Sequence, residues 1–271
     1  MRTPLSELSL VEPRSLPDAL RQLAEGGLTP LAGCTDLYVG LNAGALRERR
    51  FLDLWGLDAL RGIRVERGAL RLGALTTYAE IRTSALVGRW LPMLQAAARE
   101  IGGPQVQARG TLGGNVMNGS PAGDTLPVLA VAEAVLLLES RAGQRRVPFS
   151  GFYTGYRQSV RRPDELLVAI EIPPVEGRQW FRKLGTRAAQ AISKVVLAGV
   201  RARSPRLAIG SVAPTVLRLP RTEAALAAGE PLARVHEALQ SEIAPIDDVR
   251  STAAYRRHAA ARLLERFVRE T

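Results

Sequence analysis

The chain has 271 residues, enough for one large domain or two smaller ones with no disulfide or structural metal needed to hold a core. Its single cysteine, Cys34, excludes a disulfide framework, a cysteine zinc site and a resident iron–sulfur cluster, each of which needs several thiolates. The net charge of +11 rests on 37 basic residues, nearly all of them scattered arginines not interleaved with aromatics, so it reads as a solvated surface or a basic face for an acidic partner subunit, and no nucleic-acid partner is expected.

Ser15-Leu16-Pro17-Asp18 has the form of a helix N-cap, Leu16, Leu20 and Leu23 follow at helical spacing, and Gly26-Gly27 stop the helix. Pro30 to Ala32 is a short apolar run that enters the turn Gly33-Cys34-Thr35-Asp36, and a helix is predicted from Leu37 to Leu41. Arg50 to Leu54 alternates like a strand, and Ile63 to Leu72 reads as two strands about a turn at Gly68. Thr76 or Thr77 caps a helix through Ile81, and Leu91 to Ile101 forms another, stopped by Gly102-Gly103-Pro104. Arg109 to Asp124 then holds five glycines and follows neither the strand nor the helix period, so it is expected to be a long functional loop. A helix from Thr125 to about Ala132 and strands at Val135–Glu139, Arg145–Phe149 and Leu166–Ile172 follow. Leu126 to Leu138, the most apolar stretch, contains Glu133 and is no membrane span. The N-terminus has no signal-peptide apolar block, so a cytoplasmic protein is expected.

Pro173-Pro174 is the predicted domain boundary, giving domains over 1–174 and 175–271, the first with lobes of about 1–55 and 56–174. Beyond it come β-like runs at Trp180–Leu184, Ser193–Arg201 and Arg206–Val212. Helical segments near Thr222–Ala228, Leu232–Gln240 and Thr252–Val268 complete an α+β pattern.

The 25 glycines suggest nucleotide-binding turns, yet no two of them lie two positions apart. The fingerprint G-x-G-x-x-G is therefore absent, and because neither lysine follows a glycine the G-x-x-x-x-G-K phosphate loop is absent too. Two small-residue bends remain. Gly33-Cys34-Thr35-Asp36 lies between a strand and a helix start, where unpaired backbone N–H groups suit a pyrophosphate, although a plain capping turn has the same appearance. Thr111-Leu112-Gly113-Gly114-Asn115 pairs glycines that let a ligand approach the backbone with an asparagine amide. Asp124 offers an acceptor for a ribose hydroxyl or an adenine amine, or else caps the helix that starts near Thr125. His236 and His258 have no ligand partner at metal spacing and no Ser/His/Asp array is present, so no metal site is expected.

Leu31-Ala-Gly-Cys-Thr-Asp-Leu37, Gly73-Ala-Leu-Thr-Thr-Tyr78, Arg109-Gly-Thr-Leu-Gly-Gly-Asn115 and Ala122-Gly-Asp124 together resemble the FAD-binding subunit of the xanthine dehydrogenase family of molybdenum hydroxylases, which includes the medium subunit of aerobic carbon monoxide dehydrogenase. The resemblance continues through Gly155-Tyr-Arg157, Ile170-Glu-Ile-Pro173, Phe181-Arg-Lys-Leu-Gly185, Ala189-Gln-Ala-Ile-Ser-Lys194 and Ala254-Tyr-Arg-Arg-His258, spanning nearly the whole chain. It implies the two-lobed FAD-binding fold of the vanillyl-alcohol oxidase and p-cresol methylhydroxylase type plus a small C-terminal α+β domain. By the same resemblance Leu31, Ala32, Gly33, Cys34, Thr35, Asp36 and Leu37 wrap the pyrophosphate. Thr111, Leu112, Gly113, Gly114 and Asn115 contact flavin and diphosphate, and Asp124 is the acidic ligand. Ile101 and Leu167 are apolar contacts, Leu167 beside the isoalloxazine. Lys183 is the cation near the flavin, which has its own chemical sense, since reduced flavin gathers negative charge around N1 and O2.

One departure is Cys34, where the family commonly has glycine; a small buried side chain is expected there rather than a redox-active thiol or a covalent flavin link. The resemblance further implies a large molybdopterin subunit and a small subunit with 2Fe-2S clusters as partners, in a heterotrimer or a dimer of heterotrimers. Electrons would pass from those clusters through FAD to an external acceptor. The alternatives are a stand-alone flavin-dependent reductase of the same fold and a non-catalytic scaffold.

Overall fold

The computed structural model describes residues 7–188 and 190–271. The chain opens with β1 (Ser9–Val11), α1 (Leu16–Ala24), β2 (Thr29–Leu31), α2 (Leu37–Ala43) and β3 (Arg50–Asp53). The three strands form a parallel sheet in the order β1-β3-β2, which needs a helical crossover at each step, and α1 and α2 supply them. Ser15 caps α1 as expected, its Oγ accepting from the Asp18 N–H at 3.3 Å. Ala19, Leu20 and Leu23 bury against Leu52, Leu54 and the far sheet residues Leu137, Leu166 and Val168.

The next stretch runs β4 (Ile63–Glu66), β5 (Ala69–Gly73), α3 (Tyr78–Thr83), α4 (Ala85–Trp90), α5 (Pro92–Glu100), α6 (Pro104–Arg109), α7 (Leu112–Asn118) and α8 (Leu126–Val131). It closes with β6 (Val135–Ser140), β7 (Gly143–Pro148), the hairpin β8 (Tyr153–Gly155) and β9 (Gln158–Ser159), and β10 (Leu166–Ile172). A five-stranded antiparallel sheet orders them β4-β5-β10-β6-β7. Central β10 is buried on both faces, Leu166 and Val168 against the first lobe and Ile170 and Ile172 against the helices, so its sequence is a continuous apolar run. Thr77 closes a full capping box with Glu80 at the start of α3.

The C-terminal domain is an antiparallel meander, β11 (Arg178–Leu184), β12 (Val195–Arg201), β13 (Arg206–Gly210) and β14 (Leu217–Arg218), followed by α9 (Pro220–Ala227), α10 (Leu232–Glu242) and α11 (Ala253–Glu270). Strand alternation gives this sheet two apolar faces. Trp180, Val195, Leu197, Leu207 and Ile209 pack on its own helices. Phe181, Val196, Ala198, Val200 and Ala208 join the core of the preceding domain. Lys183, two residues after Phe181, therefore points toward that domain.

Three helices depart from the sequence reading. α4 and α6 were not expected, and α7 lies inside the stretch read as a loop. Glycines at Gly113 and Gly114 and the short length of α7 hide its period. β1, β8, β9 and β14, of two or three residues each, are too short to show alternation. Part of the match at Ala189 lies outside the described residues.

Candidate functional site

The first bend follows β2. Its Cys34 has φ 64°, the left-handed region, and the chain then enters α2 through Asp36. Among the described residues, the N–H groups of Cys34, Thr35 and Asp36 donate to no protein acceptor. Three successive backbone donors left open at the end of a strand suit an anion. Asp36 makes no side-chain cap to α2, whose first turn is instead tied back by Tyr38 N donating to the Cys34 carbonyl at 3.0 Å.

The second bend is built differently. Tyr78 N donates to Gly110 O at 3.1 Å, Leu112 N to Thr76 O at 2.9 Å and Gly113 N to Ala74 O at 2.9 Å, which fastens the bend to the segment after β5. Gly113 is buried there, and a Cβ on it would lie 2.6 Å from the Ala74 carbonyl oxygen. Gly114 is exposed, and a Cβ on it would meet only Thr111 Oγ1, at 2.8 Å. Of the two glycines, Gly113 serves internal packing and Gly114 leaves the outer backbone open. Asn115 Oδ1 accepts from Thr125 Oγ1 at 2.6 Å, which leaves its amide NH2 as the group able to donate.

These bends, 78 residues apart from Gly33 to Thr111, meet. A Cβ on Gly33 would lie 1.6 Å from the Arg109 carbonyl oxygen, inside any allowed contact, so only glycine permits the approach. The Arg109 guanidinium lies 3.7 Å from the centroid of the Trp55 ring, and Arg61 covers the same ring at 4.5 Å. Trp55 follows β3, so both neighbouring strand ends of the first lobe hold the start of the second bend. Sequence reading missed this clamp, and a lone tryptophan among many arginines gave no signal for it.

Asp124 lies beside the second bend and is buried. It caps no helix. Lys183 Nζ donates to its Oδ2 at 2.6 Å and to the Glu100 carbonyl at 3.3 Å. Ser193 Oγ donates to its Oδ1. The side chains of Lys183 and Asp124 are 3% and 8% exposed, so this is a buried ion pair between the two domains. Burial pushes the Asp124 carboxyl up, and the Lys183 charge and the bonds from Lys183 and Ser193 oppose that. Burial likewise raises the Glu100 carboxyl, with Lys183 opposing. The Tyr78 phenol is pushed up by burial and by the charges of Asp124 and Asp36, which keeps it protonated between the two bends.

The family described as FAD binding domain in molybdopterin dehydrogenase matches residues 6–175, and that described as CO dehydrogenase flavoprotein C-terminal domain matches residues 180–271. The chain belongs to the FAD-binding subunits of the molybdenum hydroxylases. It is 32% identical to the xanthine dehydrogenase FAD-binding subunit of Escherichia coli O157:H7, covering 94% of this chain and 93% of that one. It is also 32% identical to the carbon monoxide dehydrogenase medium chain of Hydrogenophaga pseudoflava, again over 94% and 93%. A solved structure of carbon monoxide dehydrogenase from the same organism superposes with a TM-score of 0.91 at 28% identity, covering 98% of this chain and 96% of that one. The α+β fold and the flavoprotein subunit class expected from the sequence are those of this family.

The other residues predicted for the site differ in their exposure. Leu31, Ala32, Thr35 and Leu37 are half-buried along the first bend, and Thr111 and Leu112 are buried in the second. Ile101 is half-buried at the end of α5, its carbonyl accepting from Gln107 Nε2 at 3.0 Å. Gln107, buried and also bonded to the Arg99 and Gly102 carbonyls, shapes the turn and was not foreseen. Leu167 is buried in the core at a β-bulge of β10. A groove of about 630 Å³ between α5, β11 and α11, lined by Met93, Trp180 and Arg269 among others, touches neither bend. No helix among the described residues is long and apolar enough to cross a membrane.

Proposed function

We propose that the chain holds FAD across the junction of its two bends, with the open N–H groups of Cys34, Thr35 and Asp36 on the diphosphate and the bare backbone at Gly114 beneath the dinucleotide. The residues present fit that group. They offer a run of free donors, a surface without side-chain cover and an asparagine amide, and a Cβ at Gly33 would force the two bends apart. That last contact is the observation on which the reading rests.

When bound, FAD would supply one- and two-electron redox chemistry between an electron donor and an external acceptor. The protein's share is binding and electrostatics. Lys183 brings a desolvated positive charge to the interior edge of the site, with Asp124 limiting how much of it is felt outside the pair. Leu167 and Ile101 form the apolar side. Since Cys34 is the chain's only thiol, iron–sulfur clusters would have to be held by a partner, here a small 2Fe-2S subunit, with the molybdopterin cofactor in a large one. We place the complex in the cytoplasm as a heterotrimer that pairs into a dimer of heterotrimers.

Lys183→Ala tests the electrostatic part: the bound flavin becomes harder to reduce, by roughly 1–3 kcal/mol for the loss of a nearby cation. Lys183→Gln, which retains a donor for Asp124, shifts the midpoint potential the same way. An unchanged potential in both variants removes the role from Lys183.

A further inference from the structure

Asp124 has two carboxylate oxygens, and each has a separate donor from the C-terminal domain. Lys183 Nζ takes Oδ2 at 2.6 Å, and Ser193 Oγ takes Oδ1. Ser193 is 1% exposed and lies just before β12. Its carbonyl accepts from Ser211 Oγ at 3.1 Å, and Ser211 N donates to the Pro121 carbonyl at 2.8 Å. The serine is thus anchored both to the segment after β13 and to the stretch that leads into Asp124. Its hydroxyl is committed to the carboxylate by position.

We propose that Ser193 is a positioning residue for the flavin site: its hydroxyl holds the Asp124 carboxylate oriented and charged, and thereby sets how much of the Lys183 charge is left to act on the flavin. The inference rests on the reading of Lys183 given above.

The physical argument turns on sign. A buried carboxylate that loses one of two donors is left with an unsatisfied oxygen, which costs more for a charged group than for a neutral one. The carboxyl then shifts toward its protonated form. A protonated Asp124 no longer neutralises Lys183, so the net positive charge beside the flavin rises and reduction becomes easier. Ser193→Ala therefore moves the potential opposite to Lys183→Ala. A merely structural role, in which the loop loosens, gives no reason for opposite signs, nor for recovery when only the hydroxyl is restored.

The experiment is anaerobic equilibration of the purified, FAD-loaded chain with a reference dye, reading the ratio of reduced to oxidised flavin. Ser193→Ala is expected to raise that ratio by roughly three- to tenfold. Ser193→Thr restores a value close to the unaltered protein, and Ser193→Cys, a weaker donor, falls between. Lys183→Ala lowers the ratio. The inference is overturned if Ser193→Ala leaves the ratio unchanged or lowers it while Lys183→Ala still does so. It is overturned equally if Ser193→Ala and Ser193→Cys both fail to fold, which assigns the serine to folding. If the unaltered chain binds no FAD, the failure belongs to the functional reading instead.

Discussion

Cys34 holds a left-handed backbone at φ 64° in the middle of the first bend, a conformation that favours glycine. For an L-residue with a Cβ that conformation costs about 1–2 kcal/mol, against roughly 0.5–1 kcal/mol for the extra freedom glycine gives the unfolded chain. Cys34→Gly is therefore expected to stabilise the protein by about 0.5–1 kcal/mol, visible as a small rise in melting temperature with FAD binding retained. A fall in melting temperature would mean that the thiol makes a packing contribution larger than the backbone strain. Burial also pushes the Cys34 thiol up, only partly opposed by the Arg109 charge, so it reacts slowly with alkylating reagents at neutral pH. Gly33 and Gly114 sit at the same scale with contrasting roles. Gly33 closes the contact between bends, whereas Gly114 keeps a surface bare.

At the scale of elements, an ion pair fastens β7 to the loop before β10. Glu165 is buried, and Arg145 reaches it with Nε at 2.5 Å and Nη2 at 2.8 Å, while Arg162 N donates to it at 2.7 Å. The Arg145 bond holds the Glu165 carboxyl below its ordinary value of 4.5 against the opposing effect of burial. Its folded pKa is lowered, so the stabilisation is complete above the unfolded value and is lost as pH falls through the folded one. Glu165→Gln should cost roughly 2–3 kcal/mol at neutral pH and much less in acid, so that its denaturation midpoint converges on that of the parent as pH drops. A constant difference across the whole range would contradict the assignment. The elements themselves were legible where the sequence had a period or a cap: α1 from Ser15 and its leucines, α3 from Thr77, β10 from its apolar run. α7 was not, because a glycine pair erases helical patterning, and besides its Thr111 cap it is fastened by contacts distant in sequence, to Thr76 and Ala74. Asp124 shows the same limit. Its acidity and position were readable, but its partners Lys183 and Ser193 lie 59 and 69 residues away and are set by the strand register of the other domain.

The whole molecule explains why the C-terminal domain matters to a site formed mainly by the first. Its sheet has an inner face that continues the core of the flavin domain and an outer face that its own helices cover. The alternation that puts Phe181 into that shared core puts Lys183 beside Asp124 as well. Domain docking and charge placement at the site are therefore one event, and the two family matches that tile the chain reflect a single working unit. The excess of arginine, read from the sequence as solvated surface or a partner face, meets the bends at Arg109, which stacks on Trp55 with Arg61 over the same ring.

Equilibrium titration of FAD into the purified chain, alongside Gly114→Ala, tests the junction of the bends most directly. Gly114 lies in a helix, where alanine gains about 1 kcal/mol in propensity and loses about as much by disturbing the Thr111 cap, so the variant keeps its melting temperature. The account predicts one non-covalent FAD per chain and binding weakened by roughly tenfold or more when a methyl covers the open backbone. A parent chain that takes up no FAD, or a Gly114→Ala variant that binds it as tightly as the parent, would contradict it.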